Sequence, residues 1–230
     1  MNIKKHFLFF VVALLPMVAV TIFTSCSKEK SVVDPEDETA DNSLQVKELV
    51  VTVDANGNAD GGHRFQMIDE NNFYVDDIRY SAQNGNLNVS GYNNTAFTGT
   101  ARIISTLKYG GKTMNVAGIA TEAFSCCAKL TAVSIPKGVK SIGKSAFSYC
   151  RRLTLVAISE SVTSIGADAF GNCSALTNFY CYAENVPTTD SSAFSNTPTA
   201  SSILHVPASS VYYYTATSPW NSFGKTVAIQ

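Results

Sequence analysis

The sequence predicts a β-rich solenoid built from coils of 23 residues. Three copies of one pattern begin at Ile119, Ile142 and Ile165. A fixed period of this length is typical of repeat proteins whose units stack on one another. A fourth, looser copy carries Ala193-Phe194 one residue late. The other recurring residues are Ala123-Phe124, Ala146-Phe147 and Ala169-Phe170, then Cys127, Cys150 and Cys173, then Leu130, Leu153 and Leu176.

Each coil divides into three short segments. Leu153-x-x-Val156-x-Ile158 has the spacing of a short strand with alternate side chains inward, and Pro136 marks where that strand ends in the first copy. Val162-x-x-Ile165-Gly166 predicts a second extended segment, and Ala169-Phe170-x-x-Cys173 predicts about one helical or 3₁₀ turn. A single coil buries too little apolar surface to offset its ordering entropy, so we expect stacking to be obligatory.

The repeat resembles the BspA-like leucine-rich repeat family of bacterial surface proteins, whose coil is similar to IGxxAFxxCxxLxxVxIPxxVxx. The resemblance is specific over 119–186 and weaker on either side. It implies a leucine-rich-repeat-like, right-handed coil with capped ends, display on the cell surface and adhesion to host matrix proteins. The family's proline is present as Pro136, but the equivalent positions of the next two copies are Ser159 and Tyr182. The resemblance therefore does not identify a ligand.

The N-terminus predicts export. Lys4 and Lys5 precede a mostly apolar run over 7–23, and Cys26 follows it. This arrangement resembles a bacterial lipoprotein signal, which implies lipidation at Cys26 and anchoring at the outer membrane or cell surface. The alternative is an uncleaved membrane anchor, because the run is nearly long enough to span a bilayer.

These observations divide the chain into five segments. We expect a signal peptide over 1–25 and a flexible, acidic tether over 26–43. Alternating apolar residues and Asn-Gly turns predict a β-rich entry region over 44–100. The repeats occupy 101–199, and a capping segment occupies 200–230.

The sequence favours neither catalysis nor a cofactor. Cys127, Cys150 and Cys173 share one inward position, so we expect a column of buried thiols, while a disulfide involving Cys126 or Cys181 stays open. The stretch 54–60 has the alternating oxygens of a calcium loop, but its sixth position is alanine and its twelfth phenylalanine, which favours a hairpin turn. His63 and His205 have no partner at triad or metal spacing. We therefore predict no catalytic residue, no metal and no cofactor.

Positive charge is concentrated in the first two copies. No Asp or Glu occurs over 123–159, although six Lys and Arg residues do. Lys129 and Arg152 share one repeat position, so they stand on neighbouring coils, and an anionic partner would relieve their repulsion. The alternative is a solvated face. Without interleaved exposed aromatic residues, the pattern argues against nucleic acid.

The first strand of each coil predicts a ligand-binding face. Positions between the inward residues include Leu155, Tyr180 and Tyr182, and tyrosines are typical of recognition surfaces. We expect these three residues to bind a protein or glycan, with Lys129 and Arg152 on the rim. Alternatively, the tyrosines pack on the terminal segment 211–214 and seal the solenoid. The predicted function is a lipid-anchored surface binding protein or, alternatively, a structural component of an envelope or surface complex.

Overall fold

The computed structural model describes residues 46, 48–94 and 97–229. Cys26 and the segments predicted as a signal peptide and a tether lie outside the described residues. Eight strands precede the three regular repeats: β1 Val50–Thr52, β2 Phe65–Met67, β3 Asn72–Val75, β4 Ile78–Gln83, β5 Asn86–Tyr92, β6 Gly99–Arg102, β7 Thr106–Tyr109 and β8 Lys112–Ile119. The N-terminal part of the described chain is therefore β-rich.

The repeats supply six further strands, and the C-terminal part adds two strands and short helices. The repeat strands are β9 Leu130–Ile135, β10 Ser141–Ile142, β11 Leu155–Ile158, β12 Ser164–Ile165, β13 Asn178–Cys181 and β14 Thr188–Thr189. The C-terminal elements are β15 Ile203–Pro207, α1 Val211–Ala216, β16 Lys225–Ile229 and 3₁₀ helices at Thr199–Ser201, Ala208–Ser210 and Trp220–Ser222.

The described strands form two sheets. One has the order β14-β12-β10-β8-β5-β4-β3-β2, with β7 also paired to β8 and β1 paired to β7. The other has the order β16-β15-β13-β11-β9-β6. Each repeat thus gives one strand to either sheet, because its chain runs from the second sheet to the first and back.

Neighbouring repeat strands pair in parallel with an offset of 23 residues. Ile142 lies opposite Ile165 in the first sheet, and Val133 lies opposite Val156 in the second. Pro136 follows the last residue of β9, where the sequence predicts the strand end. The pairing between β13 and β15 has an offset of 25 instead, with Asn178 opposite Ile203.

The third segment of each repeat consists of successive tight turns, where the sequence predicts about one helical or 3₁₀ turn. Asp168 and Asn172 have φ values of 52° and 59°, as do their equivalents in the preceding repeats within a few degrees. Left-handed residues at these positions interrupt a helix. Every second amide instead donates to the next repeat, as Phe147 N does to Ala169 O at 2.8 Å. The turns therefore join neighbouring repeats as the strands do.

Phenylalanine rings stack between the two sheets. We call Tyr92, Phe124, Phe147, Phe170 and Phe194 the aromatic column, because each ring stacks on the next at centroid distances of 5.2 to 5.8 Å. The inward positions of the repeats are buried, as the sequence predicts. The close contact between repeats leaves no room for a side chain at Gly143, where a Cβ would lie 2.6 Å from Thr121 N.

The C-terminal segment covers the last repeat. Tyr214 and Trp220 are fully buried, and their rings meet edge to face at 5.2 Å. Trp220 also contacts Phe179 and Phe194. These contacts close the end of the aromatic column with a cluster of aromatic rings, so the last repeat does not expose its core.

Candidate ligand-binding surface

The candidate site lies on the outer face of the six-stranded sheet. Val156 and Phe179 are fully buried and point to the core. Side chains alternate along a strand, so Ala157 and Tyr180 beside them point outward. Ala157, Tyr180 and His205 lie in register on β11, β13 and β15. The outer face therefore changes from small residues on β11 to aromatic rings on β13 and β15.

Tyr180 stacks on His205. Their ring centroids are 3.9 Å apart with planes 5° apart, and the Tyr182 ring follows at 6.5 Å from that of Tyr180. His205 Nε2 also lies 2.9 Å from the amide oxygen Oδ1 of Asn178. Burial lowers the pKa of His205 and the charge of Lys225 lowers it further, so the imidazole is neutral at pH 7 and donates this hydrogen bond.

We call Tyr180, Tyr182 and His205 the tyrosine–histidine cluster. All three side chains are half-buried, and burial raises the pKa of Tyr182. The 23-residue period does not predict that His205 lies beside Tyr180, because β13 and β15 pair with an offset of 25 residues. Tyr212 and Tyr213 are exposed. The buried Tyr214 contacts the third repeat, where its hydroxyl donates to Ala183 O at 2.8 Å.

Leu155 differs from its expected exposure. The side chain is only 4 % exposed, so the prediction of an exposed apolar neighbour to the tyrosines is wrong. Leu155 lies on a central strand between Ala132 and Asn178, which are in register on either side. A side chain with neighbours on both flanks retains little accessible surface, so Leu155 offers little of it to a ligand.

Lys129 and Arg152 lie at the turn before β9 and β11, and both are exposed. The backbone bond from Thr154 N to Thr131 O, at 2.8 Å, places these two turns on neighbouring repeats, as predicted. Arg152 lies at the turn before β11, whereas Ala157, which is in register with Tyr180, is the third residue of that strand. The two basic residues are therefore neighbours of each other and lie apart from the tyrosine–histidine cluster.

Five cysteines are described, and none of them forms a disulfide. Burial raises the pKa of Cys127 to about 11 and that of Cys173 to about 12, and raises that of Cys150 well above its usual value. The Cys150 thiol donates to Phe124 O at 3.1 Å. All three side chains are buried, which confirms the predicted column. Because the thiolate is the nucleophile, a buried thiol with a raised pKa acts as a packing group.

The remaining polar clusters are structural. Asp54 accepts hydrogen bonds from the Asn56 and Asn58 amides, so the stretch 54–60 is a tight turn. His63 pairs with Asp76 through Nδ1 and Oδ2, a contact across the β2–β3 hairpin that the sequence analysis missed. In the described part of the chain, no group of three His, Cys, Asp or Glu side chains could hold a metal ion, and no helix could span a membrane.

Parallel strand pairing, repeated turns and the aromatic column define a leucine-rich repeat protein. Residues 93–215 match the family model for the BspA type leucine-rich repeat region, with six copies. This match covers more than half of the 230 residues, so the chain belongs to the BspA type leucine-rich repeat family. The predicted family is confirmed.

Solved structures with the same kind of repeat are similar to this chain. A leucine-rich repeat protein from Bacteroides capillosus is 27% identical, with a TM-score of 0.49, over 53% of this chain and 88% of that one. One from Bacteroides ovatus is 24% identical, with a TM-score of 0.48, over 67% and 40%. A leucine-rich cell surface protein from Faecalibacterium prausnitzii is 22% identical, with a TM-score of 0.41, over 62% and 50%. No curated protein matched significantly.

Proposed function

We propose that this chain is a lipid-anchored binding protein of the cell surface. In this proposal a signal over 1–25 directs lipidation at Cys26, and residues 26–43 tether the folded part. The repeats over 101–199 form one right-handed solenoid of 23-residue coils between the β-rich entry region, 44–100, and the cap, 200–230. The outer face of the six-stranded sheet then binds a protein or glycan.

The tyrosine–histidine cluster carries this proposal. Its rings lie on the face opposite the core, where the fold does not require aromatic side chains, and they are half-buried. A tyrosine combines a rigid apolar ring with a polar hydroxyl, which suits it to recognition. Lys129 and Arg152 lie outside the cluster, so they act on the approach of an anionic partner through long-range attraction.

A second candidate function has support at the C-terminal end. Tyr212 and Tyr213 on α1 are 75% and 60% exposed. Adjacent exposed aromatic side chains are typical of a contact with another protein. This pair favours a structural or assembly role in an envelope complex, in which the cap is the interface.

One screen separates the two functions. Immobilised host matrix proteins and a glycan array are probed with residues 44–230, alongside a Tyr180→Ala variant and a Tyr212→Ser, Tyr213→Ser variant. We expect a ligand whose binding is lost in Tyr180→Ala and kept in the double variant. Binding that is lost only in the double variant supports the assembly role, and binding that neither change affects contradicts both sites.

A further inference from the structure

The N-terminal sheet curls on itself. Along the path β2-β3-β4-β5-β8-β7, four strands separate β2 from β7. Nevertheless, the Phe65 ring on β2 contacts the Tyr109 ring on β7 at a centroid distance of 5.1 Å. The inner face of this sheet is therefore concave, and its apolar residues line an enclosed space.

This space opens at one end as a cavity of about 510 Å³. Its walls include Met67, Phe73, Ala82, Tyr109 and Met114, which come from five different strands. Polar residues at three hairpins also line it: Glu70 and Asn84 lie in turns, and Lys112 begins β8. A cavity of this volume with apolar walls and a few polar groups at its mouth is typical of a ligand site.

The edge of β2 lies beside the cavity and is unpaired. Within the described residues β2 pairs with β3 alone. Asp76 N donates to Arg64 O and Ile68 N donates to Asn72 O, so the backbone groups of Arg64 and Ile68 face β3. In an antiparallel pair the bonded residues alternate, so the N–H and C=O of Phe65 and Met67 face the free edge.

We propose that an extended peptide segment of a protein partner adds to β2 and places a large apolar side chain in this cavity. Met67 lines the cavity and is 43% exposed. Residues opposite each other on neighbouring strands share one face, with Cβ atoms about 5 Å apart. The peptide residue opposite Met67 therefore directs its side chain to the cavity, while the main-chain bonds hold the strand.

The charges at the mouth favour a peptide over a lipid or a hydrocarbon. Glu70 and Lys112 are both exposed, and neither forms an ion pair with another described residue. Asn71, Gln83 and Asn84 add amide groups. Side chains of both charge signs, together with amides, complement a peptide that carries charged residues beside its apolar one.

The test uses the full chain in detergent and a fluorescein-labelled peptide, Lys-Val-Thr-Trp-Thr-Val-Glu, with fluorescence anisotropy as the measurement. Companion peptides carry Leu or Ala in place of Trp, or an N-methyl group on each residue that flanks Trp. We expect the Trp and Leu peptides to bind, and the Ala and N-methyl peptides to bind at least tenfold more weakly. N-acetyl-tryptophanamide supplies the side chain without the strand, and we expect it to bind at least a hundredfold more weakly.

Protein variants locate the binding. Ala82→Trp fills the cavity, and Met67→Pro removes an N–H that bonds nothing in the described protein. We expect both to weaken peptide binding at least tenfold, and Tyr149→Ala, an exposed residue of the second repeat, to leave it unchanged. Amide hydrogen exchange over 65–67 should slow when the peptide binds, which checks the site even where a variant is unstable. No binding by any peptide, or N-acetyl-tryptophanamide binding as tightly as the Trp peptide, would overturn the proposal.

Discussion

Phe147 and Phe170 stack face to face, with ring centroids 5.3 Å apart and planes 4° apart. Both side chains are fully buried. Truncation of either to alanine leaves a cavity and removes the stacking contacts on both of its faces. We expect Phe147→Ala and Phe170→Ala each to lower the free energy of unfolding by roughly 3 to 5 kcal/mol, as measured by urea denaturation.

Tyr149 provides the matched control for this experiment. It lies two residues after Phe147 and is 40% exposed. Tyr149→Ala should therefore change the free energy of unfolding by less than about 1 kcal/mol. Losses below about 1 kcal/mol for both phenylalanine variants would contradict the aromatic column.

The contact between successive repeats depends on Gly143. A Cβ at this position would lie 2.6 Å from Thr121 N and 2.7 Å from Ala120 C, and both are backbone atoms. Gly143→Ala must therefore separate two repeats and lengthen the bond from Gly143 N to Ile119 O. We expect a loss of about 2 kcal/mol or more in chemical denaturation. Ala167→Gly, on a partly exposed turn, is the control, and an equal effect of both changes would argue against the close contact.

The buried thiols predict that stability falls in mild alkali. Burial raises the pKa of Cys173 to about 12, above its value in the unfolded chain, so the folded state holds the proton more firmly. The stabilisation that the protonated Cys173 thiol gives to the folded state is complete below about pH 9, and it is lost as pH rises towards 12. Each such thiol should cost roughly 1 to 2 kcal/mol of unfolding free energy between pH 8 and pH 10.

Urea titrations of the parent and of Cys173→Ala at the two pH values measure the cysteine contribution, because the tyrosines titrate equally in both proteins. The parent should lose more stability than the variant. Thiol titration at pH 8 should find Cys127, Cys150 and Cys173 unreactive until the protein unfolds. Rapid modification of these three in the native protein would show that the column is accessible.

Lipid anchoring is a prediction about Cys26. If this residue is acylated, Cys26→Ala should abolish incorporation of radiolabelled palmitate and release the protein from the membrane fraction. Cys126→Ala, which alters a cysteine within the repeats, should leave both unchanged. Retention of the Cys26 variant, with no label on the parent, would indicate an uncleaved membrane anchor.

Ligand binding is a prediction about the tyrosine–histidine cluster. For a ligand found in the screen, Tyr180→Ala should raise the Kd about thirtyfold, which corresponds to about 2 kcal/mol. The melting temperature should change little because the ring is half-buried. Lys129→Ala and Arg152→Ala should instead lower the on-rate and the salt dependence. Tyrosine variants that lose stability and keep their affinity would show that the two tyrosines hold the capping strand in place and do not bind the ligand.

The repeat made most of the second half of the fold predictable. The spacing of Ile142 and Ile165 correctly indicates that they are neighbours, because parallel pairing preserves a fixed offset. The spacing around Phe170 predicts a helical or 3₁₀ turn, because apolar spacing does not report the sign of φ at Asp168. Sequence periodicity describes which side chains are buried, whereas the backbone between them depends on bonds to the next repeat.

The candidate sites were less predictable for a related reason. Tyr180 was found from its place between inward residues, but His205 lies in a segment that departs from the 23-residue spacing. The prediction that Leu155 is exposed is wrong because alternation along a strand gives only the direction of a side chain. The exposed fraction of that side chain depends on the neighbouring strands. The cavity at Met67 arises from curling of a sheet, and no spacing in the sequence encodes the contact between Phe65 and Tyr109.

The aromatic column also determines how this protein can change its length in evolution. Every ring from Phe124 to Phe170 is stacked on both faces by the adjacent rings of the column. Duplication or loss of one whole repeat, such as residues 142–164, brings equivalent rings and strands back into contact. An insertion inside a strand or tight turn would displace one ring from the others, whereas the one extra residue between Phe170 and Phe194 leaves their rings stacked. The stack of repeats can therefore lengthen or shorten by whole repeats, while smaller length changes are restricted to the exposed turns.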